Sequence, residues 1–230
     1  MNKIFSTFLF LLLTFWSYGQ KVLTEGLVKM EITTVNADDP QMAMQMEMMK
    51  GSKLDIFFKG EDYITDMNMM GGLMLMKNKI NHKANKMDLF MDMMGQKIWI
   101  ESNLDEVSTP EQKEMAEKSQ IDYDKNDKKV ILGYNCYKMT IQNLAMEGMK
   151  VTAYVTDEIK TKAKVIRGFE SVEYQGFPLE FEVDNSMFTM KMETKSIEEK
   201  VKDSDLTVDT AGYKKMTMKE FQESFGGMGF

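Results

Sequence analysis

Sulfur is the chemistry this chain offers in quantity: 26 of its 230 residues are methionine, concentrated between Met42 and Met94. Thioethers are soft ligands suited to Cu(I). The spacing by two of Met42, Met44, Met46 and Met48, or of Met67 and Met69, would present them on one face of an extended segment. The same side chain is flexible and polarizable, so a stripe of it can equally line an apolar surface that accepts ligands of variable shape, or fill a core. Spacing alone leaves all three readings open. Other chemistry is sparse. His82 is the single histidine, sits in the polar stretch Asn81–Asn85, reads as an exposed loop residue, and has no motif around it that would make it a general base. Gly71-Gly72 and Gly226-Gly227 lack the strand, glycine-rich loop and helix that cradle phosphate. Glu180 and Glu182 share one strand face and read as solvent-facing. We expect no enzyme, no catalytic residue, no metal ligand set and no cofactor.

The elements that would position these residues follow from apolar periodicity. Val28, Met30 and Ile32 alternate with Lys29, Glu31 and Thr33; Leu54, Ile56 and Phe58 alternate with Lys53, Asp55 and Lys59. Gly71-Gly72 turns one strand back on the next, and Met87, Leu89, Met91 and Met93 stand opposite Asp88 and Asp92 before a turn at Gly95-Gln96. Three further extended segments, Val130–Gln142, Met149–Thr156 and Phe177–Val183, organise the second half. Short connections between alternating segments argue for one antiparallel meander. The one break is Glu101–Gln120, where Ser108-Thr109-Pro110-Glu111 supplies a cap, a first-turn proline and a favourable charge for a helix to about Lys118. A second helix is predicted from Asp157 to Gly168 and a short third one after Thr217, whose spacing to Glu220 makes a capping box. Some ten strands cannot stay flat, because twist accumulates. The predicted fold is therefore mainly β with a few helices (α+β), a strongly curved antiparallel sheet or half-barrel capped by short helices; a closed up-and-down barrel and a two-sheet sandwich compete with it.

Compartment and partners follow from the ends and the charge. Lys3, the apolar run Phe8–Leu13 and the small residues Ser17 and Gly19 read as a secretory signal peptide over 1–19, cut between Gly19 and Gln20. The run is too short to span a bilayer, so no transmembrane segment is expected in the mature chain. That leaves a single domain over 20–216 and a short C-terminal helix with a mobile tail over 217–230, exported to the periplasm or secreted. Without Lys3 the balance is 28 basic against 36 acidic residues, which disfavours nucleic acid and simple docking on anionic lipid. Cys136, the single cysteine, cannot close an internal disulfide; a buried inert thiol, an intermolecular disulfide and a reactive thiol are the alternatives.

Four blocks carry a family resemblance: Val130-Ile131-Leu132-Gly133-Tyr134-Asn135-Cys136-Tyr137-Lys138-Met139, Ala153-Tyr154-Val155-Thr156-Asp157-Glu158-Ile159, Gly176-Phe177-Pro178-Leu179 and Ala211-Gly212-Tyr213-Lys214-Lys215-Met216. Together they resemble a family of exported bacterial envelope proteins classed as a domain of unknown function. That family is similar in fold to the lipoprotein-localisation factors of the LolA and LolB kind, whose incomplete barrel is capped by helices and shelters acyl chains. The chain departs from the family pattern in Val208-Asp209-Thr210, where a proline is frequent, and in its methionine density. The resemblance supplies no catalytic residues, and a shared fold does not decide function.

The expectation is an envelope protein that binds a hydrophobic small molecule or lipid in the concave face of its sheet. Met67, Met69, Met74, Met76, Met87, Leu89, Met91, Met93, Phe177 and Phe181 are the expected lining. A Cu(I) protein using the methionine cluster, and a structural domain that binds another envelope protein, are the alternatives.

Overall fold

A computed structural model describes residues 22–106, 110–143 and 149–225. The expected signal peptide, its cleavage site, the Ser108-Thr109 cap and the last five residues lie outside that range. Alternation of buried and exposed side chains builds the first run of strands, β1 (Glu25–Ala37), β2 (Lys53–Lys59), β3 (Asp62–Met69), β4 (Met74–Asn81), β5 (Lys86–Met93) and β6 (Gln96–Asn103). In β2, for example, Leu54, Ile56 and Phe58 are buried while Lys53 and Lys59 are exposed. A second run comprises β7 (Ser119–Ile131), β8 (Tyr134–Asn143), β9 (Lys150–Thr156), β10 (Phe177–Asp184) and β11 (Phe188–Glu198), and the chain closes with β12 (Lys214–Met216).

These strands form one curved, open sheet in the order β12-β6-β5-β4-β3-β2-β1-β11-β10-β9-β8-β7. It is two meanders joined where β1 pairs antiparallel with β11, rather than the single meander the short connections predict. Among the strand pairs of the described residues only β12–β6 is parallel. The fold is thus the mainly β half-barrel with short helices, neither a closed barrel nor a sandwich.

Three segments differ from their sequence reading. Met42–Met48 is not extended: Asp39 caps a helix, α1 (Pro40–Glu47), by accepting a hydrogen bond from the Met42 amide at 2.8 Å, with Pro40 in the first turn. Val130–Gln142 is two strands, because Ile131 pairs with Tyr134 across a two-residue turn at Leu132-Gly133. Both turn residues have positive φ, 50° and 89°, as a type I′ hairpin requires. The stretch from Asp157 to Gly176 contains no helix. It crosses from β9 to β10 inside the curve of the sheet and buries Ile159, Ala163, Val165, Ile166, Phe169 and Val172. Its backbone is committed elsewhere: the Leu23 amide donates to the Glu158 carbonyl at 2.7 Å and the Lys160 amide to the Leu23 carbonyl at 2.8 Å. Tertiary partners override helical propensity there. The other helices are α2 (Pro110–Glu117) and α3 (Met218–Phe225). At α3 the Glu220 amide donates to Thr217 Oγ1 and the Thr217 amide to Glu220 Oε2, a capping box.

Candidate functional site

The crossover divides the concave face into a filled end and an open one. Toward the end where β10 begins, Phe169, Ile166 and Val172 pack with Val28, Phe58, Tyr63, Ile80, Met87, Phe177 and Leu179 in the main core. Toward the opposite end, where β1 finishes and β2 begins, side chains of β1, β3, β4, β5, β10 and β11 surround a cavity of about 470 Å³. That is the size of a pocket for one small ligand. Nine methionines (Met49, Met67, Met69, Met74, Met76, Met91, Met149, Met190 and Met192) line it, together with Ile32, Leu89, Val165, Phe181, Val183, Phe188 and Phe221. Three polar residues, Ser52, Lys53 and Arg167, complete the wall. Lys53 opens β2 on the outward side of its alternation and acts electrostatically on Asp55, so its ammonium does not belong to the interior.

Seven of the ten expected lining residues are brought together here: Met67, Met69, Met74, Met76, Leu89, Met91 and Phe181. Three are not, although they share the same face. Met87 and Phe177 lie at the filled end, in contact with the main core that the crossover completes. Met93, the last residue of β5, packs with Met218 and Phe221 of α3 against a smaller cluster of Met91, Ile98, Ile100 and Met216. The sequence reading misses Met190 and Met192 of β11, whose alternation with Lys191 was a legible signal. It also misses Met149, which stands in the alternation of the Met149–Thr156 segment just before β9, and Met49 and Arg167, which reach the cavity from connections that carry no period.

Arg167 comes from the crossover, one residue before Gly168. Its Nη1 lies 3.5 Å from Met76 Sδ and 3.7 Å from Met67 Sδ, the sulfurs of a cross-strand pair in β3 and β4. Around the open end the connections carry exposed apolar tips: Met44 and Met48 of α1 and its cap, Leu73 between β3 and β4, Met94 between β5 and β6, and Met187 between β10 and β11.

The other candidate groups are engaged within the fold. Cys136 is buried, its thiol 3.6 Å from the Tyr134 carbonyl, and burial pushes its pKa up to about 12. His82 is half-buried rather than exposed, its ring against Tyr63 at 6.2 Å and its backbone amide donating to Asp62 Oδ1 at 3.0 Å. Glu180 does not stand free in solvent: Lys129 and Lys191 hold it at 2.6 and 3.3 Å on the outer face. Glu158 accepts from both the backbone amide and the side-chain amide of Asn135 at 3.0 Å, joining two of the quoted blocks at the root of the crossover. Gly176 is required by space, since a Cβ there would meet Val155 at 2.9 Å.

Among the described residues no group of three or more His, Cys, Asp or Glu side chains is placed to hold a metal. The helical form of α1 separates the four methionines spaced by two: Met44 and Met48 are exposed while Met42 and Met46 are half-buried on another side. At Met67 and Met76 a guanidinium already occupies the approach to both sulfurs, and its charge opposes a second cation.

No helix of the described residues is long and apolar enough to cross a membrane. No family model and no curated protein sequence matches the chain. Solved structures similar to it include the lipoprotein LppX of Mycobacterium tuberculosis, at 10% identity and a TM-score of 0.35, covering 78% of this chain and 89% of that one. A DUF1329 family protein from Desulfovibrio piger has 6% identity and a TM-score of 0.33 over 85% of this chain and 91% of that one. A domain from Vibrio parahaemolyticus, described as outer membrane lipoprotein-sorting, has 9% identity and a TM-score of 0.34 over 83% and 91%. At such identities and scores these likenesses say nothing of this chain's ligand or partner.

Proposed function

We propose that this is an exported envelope protein that binds a hydrophobic ligand, a lipid or an acyl chain, in the open end of its half-barrel. The observation that supports the reading most directly is the apolar cavity of about 470 Å³ walled mainly by methionines. Transfer of an acyl chain from water into such a wall is favourable by roughly 0.8 kcal/mol per buried methylene, and flexible thioethers accommodate chains of differing shape. A wall of this kind suits holding and release of a ligand. Native mass spectrometry of protein gently released from the envelope fraction should show a mass above the denatured one, and the difference should extract as lipid. Met76→Trp fills the cavity from a half-buried position and should remove that added mass while the far-ultraviolet circular dichroism is unchanged. Retention of the added mass by the tryptophan variant would sink the assignment.

A second reading, binding of another envelope protein, is favoured by one observation: the exposed tips Met44, Met48, Leu73, Met94 and Met187 cluster at the cavity end. Exposed apolar groups gathered in one region mark interaction surfaces. Equal native and denatured masses, with a stoichiometric protein partner retained through purification, would put that reading first.

A further inference from the structure

We propose that the ligand is an amphiphile with an anionic head, a carboxylate or phosphate oxyanion carried on one apolar chain, and that Arg167 receives the head at the cavity mouth. This rests on the reading of the cavity as a ligand site. Arg167 is exposed at its outer side while its guanidinium lies over the sulfurs of Met67 and Met76. Thioethers are weak acceptors, so among the described residues the five N–H donors of the guanidinium have no strong partner. Among the described residues no carboxylate lies within ion-pair distance of Arg167, whereas lysines on the outer face are paired repeatedly, as Lys59 is with Asp203 and Lys191 with Glu193.

The cavity wall contains no Asp or Glu among its described residues. With Lys53 turned outward, Arg167 is, among the described residues, the one charged group of that wall whose head lies against its methionine sulfurs. An apolar chain laid against Met67, Met76 and Met91 therefore leaves its head beside a planar fork of donors, the geometry that takes two oxyanion oxygens at once. A cationic head is repelled there, and a neutral head finds no charge-assisted bond. Arg167 reaches this place because the crossover turns at Gly168, whose φ of +83° is in the left-handed region.

The test is calorimetric titration of delipidated full-length mature protein with dodecanoate, dodecyl phosphate, dodecyl maltoside and dodecyltrimethylammonium, each below its micellar concentration. Both anions should bind about tenfold more tightly than the neutral and cationic probes, the effect of one charge-assisted pair at a partly exposed site. In Arg167→Gln that preference should vanish while dodecyl maltoside binds as before, and Arg167→Lys should keep part of it, having charge without the fork. The stronger of the two anions identifies which oxyanion the site takes. Equal affinities for all heads, or a preference that survives in Arg167→Gln, would overturn the head-group assignment and leave the cavity reading intact. Failure of every probe to bind would overturn both.

Discussion

At the scale of single residues, burial decides what a reactive side-chain type can do. Cys136 is the clearest case, since a thiol walled by the main core keeps its proton far above the range where it would react. Three tyrosines behave in the same way. Burial pushes Tyr63 up to about 12, burial and then the Asp157 carboxylate push Tyr137 up to about 12, and burial raises Tyr174 as well. In the unfolded chain these groups ionise from roughly pH 8.5 to 10. Between those values and the folded ones the unfolded state binds fewer protons than the folded state, so stability is full below about pH 8.5 and falls as pH rises toward 12. The urea midpoint should therefore be lower at alkaline pH than at neutral pH. Cys136 should react with a disulfide reagent only after denaturant is added, and rapid labelling of native protein would contradict its burial.

At the scale of elements, the long connection between β9 and β10 has more influence on the site than any strand. It is irregular, yet it supplies core residues, the cation at the mouth and the boundary of the cavity. Its root is held by Glu158, whose Oε1 accepts two hydrogen bonds from Asn135 while its carbonyl takes the Leu23 amide. Removing the carboxylate in Glu158→Ala takes away the buried acceptor that the exposed Asn135 uses for both its backbone and side-chain amides and should cost about 2 kcal/mol, within the range for bonds to charged groups. Urea denaturation of the variant measures this. A change within about 0.5 kcal/mol, the range for an ordinary surface position, would show that the crossover is held by its apolar residues alone.

At the scale of the whole molecule, an open sheet must manage two edges. One edge, β7, manages itself: Asp122, Asp124, Lys125, Asp127, Lys128 and Lys129 crowd it, and its register is irregular between Asp124 and Lys128. The other edge, β6, is covered by β12, which arrives after the chain has crossed the outer face. Lys59 and Asp203 pair along that path at 2.7 Å, Tyr213 meets Phe90 edge-on at 5.3 Å, and Lys215 lies over Trp99 at 4.3 Å. Deleting residues 199–225 should uncover the β6 backbone together with Phe90 and Trp99, and light scattering should report association. A monomeric truncated protein would show that β6 needs no cover.

Much of this architecture is written in local pattern. Alternation in Leu54–Phe58, Met87–Met93 and Phe177–Val183 identifies strands and tells which side chains share a face, because the period of two is a property of the strand itself. The single histidine and single cysteine limit the reactive side-chain types on offer before any fold is known. Alternation does not tell which end of a face is filled, however, and that is why Met87 and Phe177 share the face of Met91 and Phe181 without sharing the cavity. The methionines of α1 show a related limit: spacing by two is equally compatible with a helix, and the Asp39-Pro40 start decides between them. The path of the Asp157–Gly176 crossover, the burial of Cys136 and the placement of Arg167 over two thioethers depend on contacts between residues far apart in the chain. Only the tertiary structure decides those, since their energies belong to the packed pair and not to either segment alone.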